Sequence, residues 1–193
     1  MAAALALGAA KQAARLVLGD YQIYAIYGLD LEAVTPPDLG PWQAAGFTFG
    51  PVSRGEVEAA ADSGLRERAH YAGPGSASYG IRHGGDLVCV QFHWFGDRYR
   101  QRNFWPLAAD EAKSVEFYTV PALRGRGLGP AIKAYSAWEL KELGFRRVFS
   151  RVWHSHTASR RANEKAGWRH VATVVEVRPF GLPRPLRLVR RHR

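Results

Sequence analysis

Arg124-Gly125-Arg126-Gly127-Leu128-Gly129 is the stretch whose reading decides the fold. Ahead of it, residues 114–120 are apolar and β-branched, which predicts a strand; behind it, residues 130–143 carry a helical pattern. Strand, glycine-rich turn and helix in that order make a phosphate cradle. Glycine lets the chain take positive φ and pass close to a ligand, and the first N–H groups of the helix have no internal partner. The helix dipole and the guanidinium groups of Arg124 and Arg126 add positive charge, so the turn is suited to a pyrophosphate. The Gly-Lys-Ser/Thr of an NTPase loop and the GxGxxG of a dinucleotide fold are both missing, leaving Arg-x-x-Gly-x-Gly.

That motif resembles the Gln/Arg-x-x-Gly-x-Gly/Ala signature of the GNAT superfamily of acyl-CoA-dependent N-acyltransferases, with Arg124, Gly127 and Gly129 in the matching positions. The preceding Phe117-Tyr118-Thr119-Val120-Pro121 is similar to the family's strand ending. A second block, Ser159 to Trp168, resembles its later helix, which closes on Lys-x-Gly-aromatic. The resemblance implies acetyl-CoA, or another acyl-CoA, as cofactor. It implies that two strands splay to admit the pantetheine arm beside Tyr118, Thr119 and Val120, and that the pyrophosphate rests on Arg124, Gly125, Arg126, Gly127, Leu128 and Gly129. Relatives often place a tyrosine, the acid for the leaving thiolate, where this chain has Asn163; asparagine cannot be that acid, so it carries over as a cofactor contact only. His156 stands where an asparagine is frequent.

Attack of an amine on a thioester needs a proton acceptor and a donor for the developing oxyanion. Glu116 is the candidate base, because regular alternation puts it on one strand face with Tyr118 and Val120, and many relatives use a carboxylate on this strand. A glutamate held in a surface ion pair is the plain alternative. His154, at the end of the next strand, and His93, on an earlier strand with Gln91, compete as proton acceptors near neutral pH. Tyr118 and Tyr135 are candidates for the proton that Asn163 cannot give, against a role as aromatic core filling. In the family the acceptor pocket uses the early helices and the loop that here spans Arg98 to Glu111. Arg98, Arg100 and Arg102, with His93, make an anionic small-molecule amine the expected acceptor.

The remaining features bound the problem. The chain has 193 residues, 47% of them apolar, enough for one enzyme-sized domain with a core. The resemblance covers residues 47–193, with residues 1–46 read as an N-terminal extension. The fold expected is α/β, a mixed and mostly antiparallel sheet flanked by helices. Cys89 is the single cysteine, so disulfides within the chain and cysteine-based zinc sites are excluded, and a reducing cytoplasm fits. His154-Ser155-His156 lacks the spacing and the carboxylate of a metal site, and no metal is expected. A net charge of +10 suits a phosphorylated ligand; it also keeps open nucleic acid or anionic lipid, for which Arg98 to Trp105 interleaves basic and aromatic residues. No stretch approaches the roughly 20 apolar residues of a membrane span. Residues 1–18 read as an amphipathic helix that could pack on the domain, lie at a membrane surface or form a dimer contact. Many relatives pair through their sheets or C-terminal strands, so the resemblance implies a homodimer as one expected state.

Locally, residues 21–31 could be strand or helix, and Ser53 to His70 reads as one helix with Ser53 as N-cap and Glu56 completing a capping box. Gly84-Gly85 joins two strands as a tight hairpin. Gly144 and Gly167 close helices at 130–143 and 157–166. Final strands fall at 168–178 and 186–190. Three function classes follow: an N-acetyltransferase, an acyl-CoA-binding protein of this fold without turnover, and a nucleic-acid or membrane-surface binder.

Overall fold

The computed structural model describes residues 20–102, 104–178 and 185–192. Their strands are β1 (Asp20–Asp30), β2 (Phe47–Pro51), β3 (Ser76–His83), β4 (Asp86–Trp94), β5 (Glu111–Thr119), β6 (Arg147–Trp153), β7 (Arg169–Arg178) and β8 (Leu186–Arg191). They form one sheet in the order β2-β3-β4-β5-β6-β1-β7-β8. Every neighbouring pair is antiparallel except β5 and β6. The helices are α1 (Gly40–Ala44), α2 (Arg54–Glu58), α3 (Ser63–Arg66), α4 (Gly96–Arg100), α5 (Leu128–Glu142) and α6 (Thr157–Lys165). This is the mixed, mostly antiparallel sheet flanked by helices that the sequence predicts. Among the described residues no helix is long and apolar enough to cross a membrane.

Each face of the sheet buries its own apolar clusters. On one face, Leu128, Ile132 and Tyr135 of α5 meet Phe47, Tyr79, Ile81 and Cys89, while Ala137 and Leu140 meet Tyr27, Val148 and Trp168. Fully burying side chains of this size contributes about 1.5–3 kcal/mol each. On the other face, Val57, Leu65 and Ala69 of the short helical segments cover Val90 and Phe92. Farther along that face, Trp105 packs with Tyr24, Ile26 and Phe149.

One reading is resolved and another changes. The sequence leaves residues 21–31, within the extension of residues 1–46, open between strand and helix; in the structure they lie in β1, a strand inside the sheet between β6 and β7. The physical reason is in its burial: Tyr24, Ala25, Ile26 and Tyr27 are all buried, and a strand covered on both faces shows a continuous apolar run rather than alternation. The expected helix and surface contact at residues 1–18 lie outside the described residues. Ser53 to His70 is not one helix but α2, α3 and a 3-10 turn at Ala69–Tyr71. Ser53 caps α2, its Oγ accepting from the Glu56 amide at 3.1 Å, but the Glu56 carboxylate accepts from Arg82 instead of completing the box. Asp62 then caps α3, accepting from the Leu65 amide at 3.0 Å, which restarts the chain in a new direction. The Gly84-Gly85 hairpin is as expected, with φ of 61° and 90°.

Candidate active site

The site is built where β5 leaves β6. Their parallel pairing runs only from Glu111 opposite Arg147 to Ser114 opposite Ser150. Among the described residues, the β6-facing edge of β5 has no strand partner from Val115 onward, and β6 from Arg151 to Trp153 pairs only with β1. A β-bulge accompanies the divergence: Phe92 faces Glu116 and His93 faces Ser114, leaving Val115 extra. Gln91 pins this irregularity, its Nε2 donating to Ser114 Oγ and to the Glu116 carbonyl at 2.9 Å each.

At the open end of the gap stands the glycine turn. Gly125 and Gly127 have φ of 77° and 84°, and Gly127 is the N-cap of α5 with no side chain closing the helix end. Among the described residues, the amides of Gly125 to Gly129 donate no hydrogen bond to another protein group. A Cβ on Gly127 would come to 3.2 Å from the Trp42 ring, and one on Gly129 to 3.0 Å from Phe117. The glycines are therefore demanded by conformation and by close approach together. Arg124 donates from Nε to the Thr119 carbonyl at 3.0 Å; Arg126 is exposed beside it. The residues present fit a pyrophosphate.

Glu116 and Tyr118 project from β5 toward α3. The Glu116 carboxylate accepts from Arg68 Nε at 3.1 Å, both side chains 26% exposed. That same guanidinium lies 4.2 Å from the centre of the Tyr118 ring, with Arg124 at 5.4 Å. Burial and then a hydrogen bond with Asp62 push the Tyr118 hydroxyl above its ordinary pKa, so it is protonated at neutral pH. Gly64 makes this placement possible, since a Cβ there would stand 2.3 Å from Tyr118 Oη.

His93 sits elsewhere: it is buried on the α5 face, near Tyr79, and burial, with Lys133 and Lys113 nearby, lowers its pKa to about 3. It is a neutral imidazole on the side of the sheet away from Glu116. His154 is exposed at the end of β6 with Nδ1 at 3.3 Å from the Ile23 carbonyl, on the β1 side and not the β5 side. Arg98 is a strut, donating to the carbonyls of Pro74, His70 and Ala72. Arg100 pairs with Asp97 in solvent.

Sequence reasoning missed four contributors. Arg68 holds Glu116. Arg151 stacks on Tyr24 and Phe104, at 4.8 and 4.3 Å. Lys133 and Trp168 sit on the α5 face, with the ammonium 5.4 Å from the indole. A lysine at a core-facing helix position was the available signal. Arg102, named in the sequence reading, stacks on Trp94 and Tyr71 at 4.6 and 5.6 Å. Asn163 is 1% exposed, and among the described residues neither its Oδ1 nor its Nδ2 has a partner. A buried amide left open on both atoms suits a ligand that supplies amides of its own. Among the described residues no group of three or more His, Cys, Asp or Glu could hold a metal.

No protein-family model matches the chain, and no curated protein matches it in sequence. Solved structures do match its fold. A GCN5-related N-acetyltransferase from Kribbella flavida is 16% identical with a TM-score of 0.53, covering 84% of this chain and 60% of its own. A GCN5-related glucosamine N-acetyltransferase region of a fungal multi-domain β-N-acetylglucosaminidase is 16% identical with a TM-score of 0.58, covering 94% and 22%. A ribosomal-protein alanine N-acetyltransferase from Escherichia coli is 17% identical with a TM-score of 0.50, covering 74% and 90%. The chain thus spans less than two thirds of the length of the first two. The fold is the GNAT fold.

Proposed function

We propose that this protein is an N-acyltransferase that takes an acyl group from acyl-CoA, acetyl-CoA being the simplest donor, and places it on a primary amine of a small anionic acceptor. One observation carries the reading: the cradle with its unused amides stands at the mouth of the gap that β5 leaves when it parts from β6 after Ser114. A bound acyl-CoA would supply an activated thioester carbonyl. The cradle amides, Arg124 and Arg126 would hold its phosphates, the β5 edge left open from Val115 to Thr119 would pair with its amides, Val120 being already engaged by the Val88 carbonyl and the Leu123 amide, and Asn163 would meet it from α6.

Glu116 accepts the amine's proton, directly or through a water, while Arg68 fixes the carboxylate on the acceptor side. Tyr118, protonated and stacked under two guanidinium groups, is the nearest O–H donor on that face. Of the three arginines the sequence offers for an anionic acceptor, Arg102 supports the role and Arg98 and Arg100 are engaged elsewhere; Arg102 and Arg151, each lying on aromatic rings and forming no ion pair among the described residues, supply the positive charge. Asn163 in the acid's place favours a second reading, a protein that binds acyl-CoA without turnover.

The test is calorimetric titration with acetyl-CoA and desulfo-CoA, beside Gly127→Val and Gly129→Val. Binding to the wild type at micromolar concentration, weakened at least a hundredfold in both variants, supports the cradle. A folded wild type that binds no CoA compound overturns the reading and sends the search to nucleic acid and anionic lipid. An amine screen then separates turnover from binding alone.

A further inference from the structure

The α5 face of the sheet, below the gap, holds a set of polar groups of which the reaction above uses only Asn163. Lys133 is 6% exposed. Its ammonium is flanked by the rings of Phe117 at 5.6 Å and Trp168 at 5.4 Å, and among the described residues it has neither an acidic partner nor a hydrogen-bond acceptor. The titratable groups that face it are Cys89, His93 and Lys113, none of them an anion at neutral pH. On the same face, polar atoms are buried without partners among the described residues: Gln91 Oε1, both ring nitrogens of His93, both amide atoms of Asn163, and Trp168 Nε1.

Water can satisfy open hydrogen bonds, but it cannot neutralise a buried charge. The open valences are also unequal. Ammonium, indole N–H, the Asn163 amide and one imidazole N–H are donors; the acceptors are Gln91 Oε1, Asn163 Oδ1 and the other imidazole nitrogen. Such a set calls for an acceptor-rich, negatively charged guest. The location says which guest. Phe117 belongs to the unpaired stretch of β5, and His93 and Gln91 flank Ser114, the last residue paired with β6. From Thr119 beside the cradle to Ser114 the strand runs five residues, about 16 Å at the usual strand rise. The phosphate end of a ligand in the gap belongs at the cradle and its acyl end at Ser114.

We propose that the acyl group this protein accepts ends in a carboxylate, bound by the Lys133 ammonium with Trp168, Asn163 and His93 as further donors. The donor class is thus a dicarboxylic acyl-CoA thioester, and the inference rests on the acyl-CoA reading above.

The experiment measures dissociation constants by calorimetry at pH 7 for length-matched pairs: malonyl- against propionyl-CoA, succinyl- against butyryl-CoA, glutaryl- against valeryl-CoA, and CoA itself. Each is measured with the wild type and with Lys133→Met, whose folding is checked by circular dichroism. At least one carboxylated member is expected to bind tenfold or more tightly than its neutral partner. Lys133→Met should erase that preference and leave binding of the neutral member within about twofold. A 13Cε signal of Lys133 should also shift on adding the preferred ligand and stay put with its neutral partner. Equal binding within all three pairs overturns the proposal, as does a preference that survives Lys133→Met. Failure of every compound, CoA included, to bind folded protein overturns the acyl-CoA reading and this proposal with it, so the two failures are distinct.

Discussion

The two faces of the sheet at the gap treat charge in opposite ways. Toward α3, the acid–base groups are answered and the unpaired cations lie at the surface: Glu116 has Arg68, Tyr118 has Asp62, Arg68 and Arg124, and Arg102 and Arg151 are exposed on aromatic rings. Toward α5, Lys133, His93, Gln91 and Asn163 are nearly inaccessible and carry open valences. A polar group that is already satisfied explains itself as structure or as machinery held ready. One that is buried and unsatisfied lowers stability, and it calls for a ligand, an ion or a bound water to complete it.

The comparison breaks most readily at Glu116. If the α3 face is the catalytic one, Glu116→Gln keeps the strand and the shape but lowers kcat by about a hundredfold, the scale of general-base catalysis, with cofactor affinity unchanged in calorimetry. A Glu116→Gln enzyme as active as the wild type would return Glu116 to a mere ion pair.

On the α5 face the expected effect is on stability. Burial holds the Lys133 pKa at about 8 against 10.5 for a free lysine, a destabilisation of about 3 kcal/mol when the ammonium is charged in both states. Lys133→Met is therefore more stable than the wild type below pH 8, by about that amount in urea unfolding. The advantage fades as pH rises from about 8 toward 10.5, because the folded wild type sheds its proton there while the unfolded chain still holds one. Equal stability at pH 7 would mean that Lys133 already has a counter-charge.

A smaller effect follows at Gly64, where a Cβ would meet Tyr118 Oη at 2.3 Å. Gly64→Ala should cost about 1–3 kcal/mol by overpacking and should move the Tyr118 absorbance, as measured by denaturation and difference spectroscopy. Smallest of all, Arg100→Ala removes a pair whose side chains are 79% and 91% exposed, and unfolding should change by under about 0.5 kcal/mol.

Much of the framework was legible because it is local. The hairpin at Gly84-Gly85, the Ser53 cap, the glycine stops at Gly144 and Gly167 and the cradle at 124–129 each depend on a few neighbouring residues whose backbone needs are written in their side chains. β1 was not legible as a sheet member: being covered on both faces removes the alternation that marks a strand, and its partners, β6 and β7, lie more than 110 positions away. Arg98 illustrates the same limit in the site. Its charge suggested a ligand, but only the fold shows three carbonyls already using it.

By itself, then, the sequence determined a strand, a glycine turn and a helix suited to phosphate, a single cysteine that bars disulfides within the chain, and the positions of most elements, because backbone sterics and hydrogen-bonding needs act over short distances. Only the tertiary structure decided where pairing between β5 and β6 stops, that Glu116 meets Arg68 while His93 points to the opposite face, and that Lys133 is enclosed without a counter-charge among the described residues. Those are matters of which surfaces meet and how far water is excluded, and burial is set by segments distant in the chain.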